Sequence, residues 1–281
     1  MERLVVSKLP REDDKLRESE SVSVAMDHVA IWPFSTPMDS SGTMIDQFQG
    51  IYSRGLCRAF AEGLLRTRLC EVAVCLPIVT IGEVTSWAAM GRAWNLDEAL
   101  DVQLPRGIDF MTLGRVSIAE QVELHVLLVS RLQRCLVLDR RFRFPRAQVL
   151  NCLSEAVAAI AATIVGRPLS VDEQHRVQRW GTASSEAYLA YLEAWSAAAA
   201  FRFGVTVANP QAALECARKA SRIDPEFVEV SRLQSQLSPA EARSRDAEGA
   251  VAEPNGYSEF AYPITIPGQD AAAAGSWHPP G

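Results

Sequence analysis

In two runs between Gln121 and Phe144 apolar residues alternate with others; beyond Pro145 they recur at helical spacing. In "QVELHVLLVSRL" the residues Val122, Leu124, Val126 and Leu128 share one phase. In "CLVLDRRFRF" the phase is Leu136, Leu138, Phe142 and Phe144, opposite Val137, Asp139, Arg141 and Arg143. Two such runs in close succession predict strands paired as an antiparallel hairpin. "PRAQVLNCLSEAVAAIAATIVG" then places Val149, Leu153, Val157, Ile160 and Ile164 along one side of a helix, with Pro145 at its first position and Gly166 as its stop. A chain that carries both periods in sequence must build a sheet and lay helices on it.

The upstream segments supply more of the same sheet. "VAIWPF" (29–34) is apolar without alternation and predicts an interior strand. "IYSRGLCRAFAEGLLRTRL" sets Tyr52, Leu56, Phe60 and Leu64 four apart, an amphipathic helix. "VAVCLPIVTI" (72–81) is a β-branched run for a strand covered on both faces, with Pro77 marking a break or bulge. "TSWAAMGRAWNLDEAL" reads as helical pieces, with Asn95 capping a short helix that holds Asp97 and Glu98. A strand follows around 108–118, where Gly114 predicts a bulge or a close backbone approach.

Downstream, "SSEAYLAYLEAWSAAAAFRF" and "NPQAALECARKASRIDP" are helical, the first with Tyr188, Leu192, Trp195 and Ala199 on one face. The expected class is therefore α/β: a mixed sheet flanked by helices, then a small α-helical module. Residues 1–27 mix both charge signs and predict a flexible leader; 28–167 form the α/β domain, 168–237 the helical module, and 238–281 an extended or disordered tail.

Composition narrows the function classes. The net charge is −6 over 281 residues, which argues against binding nucleic acid by broad phosphate neutralisation. "RCLVLDRRFRFPR" is the one dense basic run, and its phenylalanines share the core phase of their strand, leaving a solvated arginine edge rather than a stacking platform. The amino terminus reads as neither signal peptide nor anchor, and no segment sustains the run of apolar residues that membrane insertion needs. The six cysteines are scattered without a Cys-x-x-Cys pair and the four histidines stand apart from them, so they read as buried thiols of a reducing, cytoplasmic compartment rather than a zinc site. Neither Gly-x-Gly-x-x-Gly nor a Gly-Lys-Ser/Thr cradle is present, no serine sits in a Gly-x-Ser-x-Gly elbow, and no cofactor is implied. His125 lies on the outward phase of its strand, and Asp139 reads as the partner of Arg140 or Arg141 at a strand end.

With these segments in place, the chain resembles a TolB-like amino-terminal α/β domain followed by tetratricopeptide-type helices, over about residues 29 to 230. "VAIWPFSTPMDSSG" stands for that family's first strand and loop, "RGLCRAFAEGLLRT" for its next helix, and "IDFMTLGRVSIAEQVELHVLLVSRL" for the strand pair with a glycine at Gly114. "VLNCLSEAVAAIAATIV" stands for the closing helix. "NPQAALECARKASRIDPEF" is similar to the second helix of a tetratricopeptide repeat, with Ala213, Ala217 and Ala220 at the helix crossing and Asp224-Pro225 ending it. The resemblance implies a recognition or sensory module rather than a catalyst.

Two functions are therefore in view. The first is a non-catalytic cytoplasmic subunit that contacts a protein partner or a second copy of itself. Its candidate contacts are Tyr188 and Trp195 on the helices and Tyr257, Phe260, Tyr262 and Trp277 in the tail, which would either clasp a partner or fold back over its own domain. The second is a sensory domain that takes a small ligand at the strand ends, in the loop at Ser40, Ser41 and Gly42.

Overall fold

Val29, Ala30, Ile31 and Trp32 are all closed to solvent, as an apolar run without alternation requires. The first three lie in strand β1 (Asp27–Ile31), which runs parallel to β2 (Cys70–Ile81) on one side and to β4 (Phe110–Ile118) on the other. The Trp32 N–H donates to the Thr112 carbonyl and the Ser35 N–H to the Gly114 carbonyl, each at 2.9 Å, so the chain stays bonded to β4 past Pro33. The computed structural model describes residues 26–35, 47–81, 84–87, 96–101, 104, 107–202, 209–237 and 258–263.

The remaining pairings are antiparallel, β4 with β5 (Gln121–Ser130), β5 with β6 (Cys135–Pro145), and β2 with β3 (Val84–Trp87), except that β7 (Ser258–Pro263) joins β2 in parallel. The order is β3-β2-β1-β4-β5-β6, with β7 on β2, a mixed seven-stranded sheet of the expected α/β class. Val74 pairs with Ile31 and with Glu259, so β7 takes the edge of β2 that β1 leaves open.

One face of the sheet carries the helices. Val29, Val74, Val116, Leu124, Val126 and Phe142 meet Leu56, Phe60 and Leu64 of α1 (Gln47–Thr67) and Leu153, Val157 and Ile160 of α3 (Val149–Ile164) in one continuous core. Phe34 and Phe60 lie with ring centroids 5.0 Å apart. A further layer leans on α1: α4 (Val171–Val177), then α5 (Ser185–Arg202), with α6 (Pro210–Ile223) against α5 and α7 (Val228–Gln236) against α6. A Cβ on Gly55 of α1 would sit 2.8 Å from the Leu192 carbonyl oxygen, so only glycine lets α5 cross this close. The other face is covered at β1 and β4 by α2 (Leu96–Asp101), where Trp32, Cys75, Met111, Leu113 and Val129 enclose Ala99. The stretch Arg146–Ile164 has the length and hydropathy of a membrane span; half of it is buried against sheet and helices.

Several local expectations change. "TSW" is strand β3 rather than helix, because Thr85, Ser86 and the β-favouring Trp87 complete a hairpin with β2. Asn95 lies outside the described residues. β2 runs without a break through Pro77, which falls between Val74, the last residue paired with β1, and Ile78, the first paired with β3, where that edge needs no N–H. Pro145 closes β6 opposite Gln121; a 3-10 turn at Arg146–Gln148 intervenes, and α3 starts at Val149. In β6 the register slips between Leu128 and Val129, so that Leu138 faces the core with Leu128 while Leu136 pairs with Val129 on the other face, 40% exposed. The extra residue, Val137, is a β-bulge that strict alternation hides.

Helix α4 carries a signal the periodicity does not reveal. Ser170 Oγ accepts from the Glu173 N–H at 3.3 Å and Glu173 Oε2 accepts from the Ser170 N–H at 2.7 Å, a reciprocal capping box. Arg167 adds two bonds to the same carboxylate, at 2.8 and 2.9 Å. Arg167 first, then the Ser170 N–H, hold the Glu173 carboxyl at about 2 against the ordinary 4.5. A depressed folded value stabilises above the unfolded one and is lost as pH falls through the folded one. Urea titrations of the wild type are therefore expected to lose stability between these two values. Glu173→Gln is expected to be less stable at neutral pH and to lose less over that window; an identical acid dependence would refute the assignment.

Candidate functional site

Two sequence candidates lie inside the protein. Tyr188 is 0% exposed and Trp195 2%, so neither is available to a partner at the folded surface. The reason is that α5 is buried on nearly every side, between α1 and α6, with Ala187, Ala190, Ala194 and Ala198 permitting close approach. Its tyrosines clamp it to α1. The Tyr191 hydroxyl donates to Glu62 Oε1 at 2.9 Å and the Tyr188 hydroxyl to Glu62 Oε2 at 3.3 Å. Arg58 Nε lies 2.6 Å from Glu62 Oε1 and 3.2 Å from the Tyr191 oxygen. Burial pushes both phenols well above their ordinary range, which keeps them protonated donors. Phe227 stacks on Tyr188 from the loop before α7, at 6.1 Å between centroids. This cluster holds helices together; it does not face solvent.

The other candidates divide. Ser40, Ser41, Gly42, Tyr257 and Trp277 lie outside the described residues. Phe260 and Tyr262 belong to β7, and their backbones pair with Cys75 and Pro77. In that segment the chain adds a strand to its own sheet, the fold-back alternative for the tail. Cys70, Cys75 and Cys152 are free thiols that burial raises to about 12, which leaves them without nucleophilic thiolate at neutral pH. A groove of about 370 Å³ between α3 and α4, walled by Ala158, Ala162 and Leu169, opens beside Arg140.

What the fold does present outward is the far face of β4, β5 and β6, beyond the reach of α2. Odd-numbered positions of β4 and β5 point there, since the even ones fill the core. Register aligns Arg115 with His125 and His125 with Arg141 in one row across three strands. The next row is Ser117, Glu123 and Arg143. Arg115, Glu123, Arg141 and Arg143 are exposed. His125 Nε2 lies 2.6 Å from Asp139 Oδ1, the side chains 24% and 58% exposed, and Arg143 Nε lies 3.1 Å from Glu123 Oε1 and also reaches Gln121. Asp139 thus pairs with the histidine across the ladder and not with the arginines beside it in sequence. Arg115 was not singled out by sequence reasoning; the outward phase of "FMTLGRVSI" is its signal. Arg140, on the inward phase, lies 5.5 Å over the Phe142 ring.

The described residues thus form an α/β protein whose sheet carries helices on one face and, on the other, a charged stretch of β4, β5 and β6 beyond α2. Among the described residues, no three His, Cys, Asp or Glu side chains are grouped as a metal ion would need. No family model matches the chain, and no curated protein does. Among solved structures it is similar to the crystal structure of TolB from Acinetobacter baumannii, at 16% identity and a TM-score of 0.33, over 52% of this chain and 30% of that one. The chain thus spans less than a third of the TolB chain it matches, a partial and loose likeness.

Proposed function

We propose that the chain is a non-catalytic protein-interaction or assembly subunit, working in a reducing, cytoplasmic compartment. The observation that carries this reading is the part of the far face of β4, β5 and β6 that neither α2 nor any other described residue covers, where Arg115, Glu123, Arg141 and Arg143 stand exposed on a rigid, patterned surface. The free thiols of Cys70, Cys75, Cys135, Cys152 and Cys216 accord with the compartment. In this reading the sheet layer is a TolB-like domain, and α5 with α6 is a tetratricopeptide-type pair whose crossing is set by Ala213, Ala217 and Ala220, all fully buried. The tail beyond Leu237 is a second contact element, with β7 as its anchored part.

Size-exclusion chromatography with light scattering, together with co-purification from the native host read by mass spectrometry, tests the proposal. A stoichiometric partner or a defined homo-oligomer is expected, and truncation after residue 250 is expected to weaken it. A strictly monomeric protein that retains no partner would contradict the reading.

A further inference from the structure

We infer that the uncovered face of β4, β5 and β6 is a docking surface for an acidic segment of a partner protein, whose carboxylates are received by Arg115 and Arg141 on either side of His125. The inference names the partner's chemistry and rests on the interaction-subunit reading.

Three observations carry it. The first is the unspent charge. Strands in a sheet lie about 4.8 Å apart, so Arg115, His125 and Arg141 stand side by side in register. The two carboxylates on this face are already engaged, Asp139 with His125 and Glu123 with Arg143. Among the described residues neither Arg115 nor Arg141 has a carboxylate partner. An incoming acidic segment would supply carboxylates to both exposed arginines.

The second is segregation. From Arg115 to Arg146 there are seven arginines, no lysine and three carboxylates, in a chain whose net charge is −6. Arginine's planar fork matches a carboxylate in two parallel bonds, which a lysine cannot do. The third is what accompanies the charge. Leu136, 40% exposed, lies on this same face and offers the partner an apolar contact. The aromatic rings of β6 do not: Phe142 is 5% exposed and Phe144 packs against the core, so neither gives a base a platform to stack on. That favours a peptide over a single-stranded nucleic acid.

The test titrates a fluorescein-labelled oligoglutamate into the full chain at low ionic strength and follows anisotropy, with an oligothymidylate of equal charge in parallel. Salt-sensitive binding of the oligoglutamate is expected, weakened about tenfold or more by Arg115→Glu with Arg141→Glu. The control is Arg218→Glu with Arg222→Glu on α6, which makes the same change in net charge away from the sheet and is expected to bind as the wild type does. Circular dichroism verifies the fold; should the glutamate pair not fold, Arg115→Gln with Arg141→Gln replaces it. No oligoglutamate binding, equal loss in the α6 pair, or tighter binding of the oligothymidylate would overturn the inference. A co-purified partner that survives the Arg115/Arg141 changes removes this surface while leaving the subunit reading intact, whereas absence of any partner strikes the reading itself.

Discussion

Alanine in place of Gly114 is expected to unfold at much lower urea, with a loss of about 3 kcal/mol or more. The added Cβ would lie 1.9 Å from the His125 carbonyl oxygen and 3.1 Å from Phe34 Cδ1, at a φ of +157° that side-chain-bearing residues rarely adopt. Relief requires moving β4 from β5, and the Gly114 carbonyl also accepts from the Ser35 N–H at 2.9 Å and from Ser35 Oγ at 3.1 Å. One substitution therefore strains both ladders on β4. Gly107→Ala is the matched control: its φ is +90° but nothing lies within 4 Å of the added Cβ. A loss of about 1 kcal/mol is expected there. If the two substitutions cost the same, the close approach of β4 and β5 at Gly114 is wrong.

The second large effect is expected at Glu62. Its carboxylate, with the side chain 10% exposed, receives Arg58 at 2.6 Å, Arg66 at 3.4 Å and two tyrosine hydroxyls. Glu62→Ala removes the negative charge from among buried cations and phenols that need an acceptor, at a cost of about 3 kcal/mol. Tyr191→Phe deletes two bonds, one donated to Glu62 and one accepted from Arg58, and is expected to cost about 1–2 kcal/mol. In a double-mutant cycle the two are expected to be strongly non-additive, because the bond between Tyr191 and Glu62 is lost in either single variant. Thermal or urea melts read both. Additivity would mean that Tyr191 and Glu62 are not joined as described, and a Glu62→Ala protein as stable as the wild type would remove the clamp between α1 and α5.

Much of this architecture is legible in the residues. Period-two patterning in β5, the stripe of α1 and the apolar run of β1 each report burial directly, and Gly114 announces a close backbone approach. What stays hidden depends on partners distant in sequence. The slip at Val137 is invisible because a bulge alters the phase without altering composition. Pro77 reads as a break until the gap between β1 and β3 on that edge is known. Tyr188 and Trp195 look like surface anchors on a single helical stripe; the alanines around the rest of α5 are the sign that it is packed from several sides. "SVDE" at 170–173 spells the capping box of α4 and is overlooked only because the helix is too short to show a period. The uncovered face is half legible: the outward phase of β5 and β6 is readable, but the alignment of Arg115 with His125 and Arg141 comes from register.

The most direct measurement is arginine-selective labelling of the full chain, alone and in the complex retained from its native host, with modified sites read by mass spectrometry. The account predicts that Arg115 and Arg141 react in the free chain and are protected in the complex, while Arg218 and Arg222 react alike in both. Protection confined to α6, with Arg115 and Arg141 still reactive in the complex, would contradict it.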